Sequence, residues 1–189
     1  MDVVLALLVT LTAVLAQEPK PCESPKQFES RLVTVDPSKQ FIRFAYVSYD
    51  GVDRRVREEV EIEEGGKKQF YDFFYLHNIG VEYKVNLLTK QCNKTALTRP
   101  FIPWHVPSDA KFQWEGNIGP VTGEHVTLVQ FTGKFEENFY AMTVTSPDCV
   151  MIRMDFYSNR TGFVQSDFYD MTLGIHDPSH FIPPPECPP

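Results

Sequence analysis

The chain has 189 residues and a formal net charge of −7, from 18 Lys and Arg against 25 Asp and Glu. This acidic balance argues against nucleic acid as a partner, because phosphate backbones are bound by clustered Lys and Arg. A chain of this length buries about 70% of its unfolded surface, enough for one domain with its own core. No apolar stretch reaches the roughly 20 residues of a membrane-spanning helix, so the sequence predicts no transmembrane segment.

The N-terminal stretch Val3–Ala16 is apolar apart from two threonines. It ends in Val14-Leu15-Ala16, a small-residue spacing typical of cleavage by signal peptidase. We therefore predict that residues 1–16 are a signal peptide, and that residues 17–189 form a single secreted domain.

The chain contains four cysteines, which are far apart in sequence: Cys22, Cys92, Cys149 and Cys187. An even number in a chain bound for an oxidising compartment predicts two disulfides. Four cysteines allow three connectivities, and their spacing does not choose among them. No Cys-x-x-Cys pair is present, which argues against a redox site or a zinc knuckle.

Two sequons for N-glycosylation lie in stretches of polar, turn-forming residues. They begin at Asn93 and Asn159. A glycan needs an accessible surface position in a secreted protein, and both stretches offer one. We therefore expect a glycan on each asparagine.

The hydrophobic pattern after residue 40 has a period of two almost throughout, which indicates strands. Both alternating sets of residues 41–48 are largely apolar, so we expect this strand to be covered on both faces. Asp50-Gly51 predicts a two-residue hairpin, and Gly65-Gly66 predicts another turn. The predicted strands number nine or ten, with these candidates: 41–48, 52–62, 70–76, 81–87, 112–114, 126–131, 139–144, 150–156 and 163–173.

This arrangement predicts an all-β, antiparallel architecture, either a sandwich or a strongly curved, barrel-like sheet. One local exception is expected near the C-terminus. Asp177 offers a helix N-cap and Pro178 a favourable first helical residue, so a single helical turn is predicted there. The prolines at 183–185 would end it.

The five histidines do not form a recognisable catalytic motif. A Gly-x-Ser-x-Gly nucleophile turn is absent, and the cysteines are expected to be bridged. His176 and His180 have the spacing of metal ligands on a helix, but the accompanying Glu is missing and Pro178 lies between them. We therefore interpret them as residues flanking a capped turn, and we predict that the protein is not an enzyme and has no organic cofactor.

Carboxylates are frequent in two regions, residues 58–64 and residues 167–177. Calcium takes six to eight oxygen ligands from such groups, but the EF-hand loop spacing is absent. A solvated strand face explains the glutamates more simply. Asp167 and Asp170 alternate to opposite faces of one strand, so they cannot bind one ion together unless a bulge intervenes. Calcium is therefore a candidate cofactor without an identified site.

Aromatic residues are abundant, with 15 Phe, 8 Tyr and 2 Trp. Most are accounted for by a protein core. A curved sheet lined by Phe and Trp would also form a cavity for an acyl chain. The alternation of side chains along each strand, which we call strand parity, suggests five pocket residues: Phe112, Trp114, Phe131, Phe156 and Phe168.

Several strings of residues, in a fixed order along the chain, are more specific together than any one alone. They are Ser48–Gly51, Arg54–Arg57, Leu88–Lys94, Leu97–Pro100 and Leu173–Ser179, the last followed by Phe181, Pro183, Pro184 and Cys187. Together they resemble the ependymin family, which includes the ependymin-related proteins.

The resemblance implies a secreted glycoprotein with the disulfides Cys22–Cys149 and Cys92–Cys187. It also implies two stacked antiparallel sheets that form a curved, half-open, barrel-like sandwich with a hydrophobic pocket, similar to bacterial lipoprotein carriers. The family further implies homodimers, calcium binding, binding of lipids or other hydrophobic ligands, and a role in cell–matrix contact. Some members resemble proteins of the lysosomal lumen.

Two functions follow as hypotheses. In the first, the protein binds a hydrophobic ligand such as a fatty acyl chain in a pocket between the sheets, with calcium binding and cell–matrix adhesion as further properties. In the second, it is a calcium-responsive protein of the extracellular matrix with no lipid-carrier role.

Overall fold

A computed structural model describes residues 18–120, 122–159 and 162–188. The predicted signal peptide, residues 1–16, lies outside the described residues. Within the described ranges, none of the helices has the length and apolarity needed to cross a bilayer.

The described residues are nearly all in strands and turns. Two short 3₁₀ helices are present, at Pro37–Lys39 and Pro178–Phe181. Eleven strands follow one another in this part of the chain: β1 (Gln27–Asp36), β2 (Phe41–Asp50), β3 (Arg55–Glu64), β4 (Lys67–Leu76), β5 (Val81–Asn86), β6 (Cys92–Ala96), β7 (Lys111–Ile118), β8 (Val126–Phe135), β9 (Asn138–Ser146), β10 (Met151–Ser158) and β11 (Gly162–Leu173).

The strands form one antiparallel sheet in the order β6-β5-β4-β3-β2-β1-β11-β10-β9-β8-β7. The sheet does not close, because β6 and β7 are its two edges. The predicted all-β, antiparallel and half-open fold is confirmed. Its two layers are the two ends of one continuous sheet, joined where β1 pairs with both β2 and β11.

One buried cluster draws residues from both ends of this sheet. Phe28 of β1 and Val47 of β2 belong to it together with Phe131 of β8 and Val144 of β9. Distant strands can share a core only if the sheet curves over itself. We call the face that carries this cluster the core face, and the opposite side the outer face.

Strand β1 lies at the centre of the sheet but was absent from the strands predicted by sequence. Its period-two signal is weak because Glu29, Ser30 and Asp36 are all buried in it, at 2%, 0% and 3% exposure. The pairing of β1 with β11 also shifts between Glu29 and Arg31, which marks a bulge. Short, polar β6 was missed as well, so eleven strands replace the nine or ten expected.

The expectation that the strand at 41–48 is covered on both faces is wrong for the described residues. Ala45 and Val47 are buried on the core face. On the outer face, Ile42, Phe44 and Tyr46 remain 36%, 46% and 38% exposed. An apolar period-two pattern on both sides of a strand therefore overstated how much of it is covered.

The two predicted turns have different outcomes. Gly65 and Gly66 form the two-residue connection between β3 and β4, both with positive φ, at 56° and 75°, so this turn is confirmed. The two-residue hairpin at Asp50-Gly51 is wrong, because Asp50 pairs with Arg55 across a four-residue turn. The Asp50 carboxylate accepts backbone N–H bonds within that turn and so stabilises the longer form.

The cysteines form Cys22–Cys149 and Cys92–Cys187, the pairing that the family resemblance implies. The predicted turn near the C-terminus is confirmed, because Asp177 caps the 3₁₀ helix by accepting the Ser179 N–H at 2.8 Å.

The two sequon asparagines are exposed. Asn93 lies in edge strand β6, and Asn159 follows β10. Residues 160 and 161 of the second sequon lie outside the described residues. Glycosylation stays a prediction.

Candidate ligand-binding site

The long connection between β6 and β7, residues 97–110, lies against the core face. We call it the strap. Val106 and Ala110 are buried within the main core cluster, and Phe101 and Trp104 pack against it. Prolines at 100, 103 and 107 remove backbone donors and disfavour regular structure, so the segment runs across the sheet rather than joining it.

Backbone hydrogen bonds hold the strap at Leu97 and at Val106. Its first residue, Leu97, donates to the Gly80 carbonyl at 2.9 Å. Further along, the Val106 N–H donates to the Cys22 carbonyl at 3.0 Å, beside an isolated bridge between Glu23 and His105. Cys22 forms a disulfide with Cys149, which lies between β9 and β10. This bond therefore connects the segment that holds the strap to the β9–β10 turn.

Aromatic rings join the strap to the sheet. Tyr49 of β2 stacks on Phe28 with ring centroids 5.0 Å apart and on Phe101 at 5.7 Å. Trp104 meets Phe28 edge-on at 5.6 Å and Phe168 at 4.9 Å. Such stacked and edge-to-face pairs are favourable ring geometries. The Tyr49 hydroxyl also accepts the backbone N–H of Trp104 at 3.2 Å, which fixes the strap over this ring group.

A cavity of about 660 Å³ opens between the strap, the N-terminal segment and the β2–β3 turn. We call it the strap cavity. Tyr49, Phe101 and Trp104 supply its aromatic lining, and Lys26 and Arg54 supply positive charge. Burial raises the pKa of the Tyr49 phenol, so this group is neutral at physiological pH. The volume falls within the range of small-molecule sites, roughly 300–1,000 Å³.

A second cavity of about 390 Å³ lies on the other side of Phe101 and Trp104, against β2, β3 and β4. Burial raises the pKa of the Tyr75 phenol to about 12, with the Glu58 charge acting in the same direction. Burial lowers the pKa of His77, and the positive charges of Arg99 and Arg54 lower it further. The uncharged forms of both groups are therefore favoured here at neutral pH.

The five pocket residues suggested by parity do not come together in the strap cavity. Phe131 and Phe168 are buried in the core, at 1% and 5% exposure, and Phe112 packs against it. Phe156 lines a separate cavity of about 470 Å³ beside β1, β2, β10 and β11. Trp114 belongs to the outer face, 42% exposed, and its indole N–H donates to the Gln130 side chain at 2.9 Å.

The sequence did not predict the residues that line the strap cavity, because the pocket residues were chosen by strand parity. Phe101 and Trp104 lie in a segment that forms no strand, and parity has no meaning there. A usable signal existed in the sequence, namely two large aromatic residues within a proline-rich stretch. Such a segment exposes its rings to water unless they pack on something else.

Most of the carboxylates considered as calcium ligands pair with Lys or Arg side chains. Glu61 accepts from Lys68 at 2.6 Å, and Asp167 from Arg153 at 2.6 Å. Asp170 occupies a bulge position with φ 51°, as the sequence analysis allowed, but it pairs with an arginine of β1. Across the described part of the chain, no group of three or more His, Cys, Asp or Glu side chains is placed to hold a metal ion.

The fold and this site define a class of protein: an open, curved antiparallel sheet whose core face is crossed by a strap beside a cavity. An uncharacterised conserved protein from Thermus thermophilus shares the fold, with a TM-score of 0.57 at 11% identity, covering 86% of this chain and 87% of that one. A LolA superfamily protein from Nitrosomonas europaea overlaps with a TM-score of 0.37 at 12% identity, covering 85% of this chain and 91% of that one.

Sequence comparison identifies the family. The family model named Ependymin matches residues 65–187. Mammalian ependymin-related protein 1 of Rattus norvegicus is 31% identical over 173 residues, which cover 89% of this chain and 77% of the relative. Ependymin of Notemigonus crysoleucas is 25% identical over 172 residues, covering 89% and 79%. The chain therefore belongs to the ependymin family.

Proposed function

We propose that this ependymin-family protein is secreted and that it binds a hydrophobic or amphiphilic small molecule in the strap cavity. The observation that carries the proposal is the cavity of about 660 Å³ beside Tyr49, Phe101 and Trp104. Burial of an acyl chain against such rings contributes about 0.8 kcal/mol per CH₂ group. The two disulfides support secretion, because such bonds persist in oxidising compartments.

The proposed role is binding and not catalysis. Tyr49 and Trp104 already hydrogen-bond to each other, and the described lining of the strap cavity contains no serine–histidine hydrogen bond of the kind that activates a nucleophile. A carrier or sensor of an apolar molecule needs shape and burial, which this site supplies.

The test is titration of the purified protein with decan-1-ol, an uncharged single-chain probe, followed by calorimetry. Val52→Phe would place a ring at the rim of the strap cavity, since Val52 lines it and is 62% exposed. The matched control is Ile79→Phe in the β4–β5 turn, 65% exposed and outside the cavity lining. We expect the first variant to weaken binding and the second to leave it unchanged. Absence of decanol binding by the unmodified protein would refute the proposal.

The alternative of a calcium-responsive adhesion protein stays a prediction. Its direct test is binding of cells or collagen with and without a chelator. Binding that is lost with chelator would favour this alternative, and binding indifferent to calcium would remove the calcium part of it.

A further inference from the structure

One end of the sheet, beside the β8–β9 and β10–β11 turns, carries a row of aromatic side chains. Phe139 of β9, Tyr157 of β10 and Phe163 of β11 are direct partners across three adjacent strands. Residues in direct register have side chains on the same face of a sheet, with Cβ atoms about 5 Å apart. The three rings therefore form one continuous surface, which we call the aromatic row.

The aromatic row lies on the outer face and is open to solvent. Met154 and Phe156 of β10 pack against the core, so Tyr157, the next residue, points to the opposite side. The exposed fractions of Phe139, Tyr157 and Phe163 are 51%, 47% and 44%. A contiguous exposed apolar patch indicates an interaction surface, whereas a single exposed ring does not.

A sequon for N-glycosylation begins two residues after the central ring. The string Tyr157-Ser158-Asn159-Arg160-Thr161 places the aromatic residue at the second position before the asparagine. Ser158 ends β10 and pairs with Gly162, so the sequon lies in the connection between β10 and β11. Two residues span at most about 7 Å, and Asn159 is exposed. A sugar attached to Asn159 therefore starts within reach of the aromatic row.

The chemistry of the first sugar suits such a surface. In an N-glycan this sugar is N-acetylglucosamine, which has a face made of C–H groups and an edge of hydroxyl and amide groups. The face of an aromatic ring is apolar and carries partial negative charge, so C–H groups pack on it favourably. This contact removes apolar surface of both partners from water, while the polar edge of the sugar stays in solvent.

The other sequon has no such surface beside it. The residue two positions before Asn93 is Gln91, and Asn93 lies in edge strand β6 opposite Lys84. A glycan at Asn93 would thus begin beside polar and charged side chains. The two sequons differ in their local surface, so one serves as a control for the other.

From these observations we propose that the aromatic row is the docking surface for this chain's own glycan. The first N-acetylglucosamine on Asn159 packs against the ring of Tyr157, between Phe139 and Phe163. The glycan covers an exposed apolar surface and stabilises the β10–β11 hairpin. This role is independent of the strap cavity, which is lined by other residues.

The experiment is a cycle that combines removal of the sugar with removal of the ring. Asn93→Gln is the background, so that Asn159 has the single sequon left in the chain. Expression in mammalian cells restricted to high-mannose glycans makes the sugar accessible to two enzymes. Endoglycosidase H leaves one N-acetylglucosamine on the asparagine, and peptide N-glycosidase F removes all sugar. Urea unfolding gives the folding equilibrium constant of each form.

With Tyr157 present, we expect peptide N-glycosidase F to lower the folding equilibrium constant about threefold to tenfold, the size of one favourable ring contact. Endoglycosidase H should leave this constant unchanged, because the first sugar is kept. In Tyr157→Thr, full removal of the sugar should change it less than about twofold. Peptide N-glycosidase F converts Asn159 to aspartate in both proteins, so this change cancels in the comparison.

The matched control is Tyr169→Thr. Tyr169 is a tyrosine of β11 with a similar exposure, 52%, and it lies outside the aromatic row. In this variant the effect of peptide N-glycosidase F should be as large as in the protein with both tyrosines.

Each of four results would overturn the proposal. The first is an unmodified Asn159 in peptide mass spectrometry of the secreted protein. The second is a loss of stability already after endoglycosidase H, which would place the contact beyond the first sugar. The third is an equal effect of sugar removal with and without the Tyr157 ring, which would mean that the rings form only cross-strand pairs. The fourth is a change of oligomeric state, measured by light scattering, in glycosylated Tyr157→Thr, which would make a second copy of the chain the occupant of the row.

Discussion

Two segments without strands cover this sheet, the strap on the core face and residues 174–188 on the outer face. Close side-chain contacts hold the outer segment against the sheet. Phe181 is 3% exposed, and its ring centroid lies 4.3 Å from the guanidinium carbon of Arg55. The His176 ring N–H donates to the buried Glu29 carboxylate at 2.8 Å. The strap instead leaves about 660 Å³ beside its rings.

The difference lies in the kind of contact that each segment makes. A hydrogen bond to Glu29 of β1 and a cation–π contact with Arg55 of β3 hold the outer segment on the sheet, and Phe181 is buried there. The strap is anchored by its backbone and by ring stacking, and its prolines keep it from following the sheet. A covering segment can therefore either complete a core or form one wall of a cavity.

The largest expected effects come from removing one disulfide at a time. Each bridge closes a long loop, with separations of 127 and 95 residues, so Cys22→Ser with Cys149→Ser and Cys92→Ser with Cys187→Ser should each lower stability by about 2–5 kcal/mol in urea unfolding. We expect only loss of Cys22–Cys149 to weaken decanol binding of the folded protein, since it holds the strap. Equal weakening by both pairs would contradict the proposed division between the two segments.

A pair of phenylalanines sharpens the same comparison. Phe181→Ala should lower the free energy of unfolding by about 3–4 kcal/mol, because a buried ring leaves a cavity, and should leave decanol affinity unchanged. Phe101→Ala, at a half-buried ring, should cost about 1–2 kcal/mol but weaken decanol binding severalfold. Calorimetric titration and urea unfolding measure both quantities. The reverse pattern would place the ligand on the outer face.

Acid should loosen the turn at the rim of the strap cavity. Burial raises the pKa of Asp50, but the N–H bonds from Asp53, Gln27 and Arg55 outweigh it, so the pKa lies below its usual 3.8. A depressed folded-state pKa contributes stability above 3.8, and this is lost as pH falls through the folded value.

Asp50→Asn should therefore cost about 2 kcal/mol at pH 7, by the loss of charged hydrogen bonds, and progressively less below about pH 4. Urea unfolding between neutral and strongly acidic pH measures both dependences. The Asp50 side chain is fully buried, so a variant of wild-type stability at neutral pH would show that its charge does not hold the turn.

The smallest effect is expected from Trp114→Phe. This ring lies on the outer face, 42% exposed, with one exposed hydrogen bond to Gln130. Stability should change by less than about 0.5 kcal/mol and decanol affinity should not change. Trp104→Phe, at the cavity, is the matched substitution and should reduce affinity. Weakened binding in Trp114→Phe would restore Trp114 to the pocket that strand parity suggested.

Much of the fold could be predicted from local patterns. Alternating strands such as β5 and β10 and the capped turn at Asp177 depend on residues close in sequence, and their physical causes act locally. Strand β1 could not be found this way, because its buried Glu29 is stabilised by His176 and Tyr46, which are distant in the chain. The four-residue turn after Asp50 escaped notice for a similar reason, since the Gly51 N–H donates to the distant Lys26 carbonyl at 2.7 Å.

The site was less predictable than the fold. Period-two reasoning assigns faces to strand residues, and it suggested Phe112, Phe131 and Phe168 as pocket residues. These side chains lie in the packed core or against it. The same reasoning has no means of assigning Phe101 and Trp104, whose surroundings are set by where the strap crosses the sheet. The cations that line the strap cavity come from separate segments and meet only when both are folded.

By itself the sequence determined an all-β, antiparallel chain with an acidic charge and an even set of cysteines, because alternation, turn residues and composition act over short distances or over the whole chain. Only the tertiary structure decided which aromatic rings fill the core and which line a cavity. That decision depends on the curvature of one eleven-stranded sheet and on the path of the strap across it, and both arise from contacts between residues far apart in sequence.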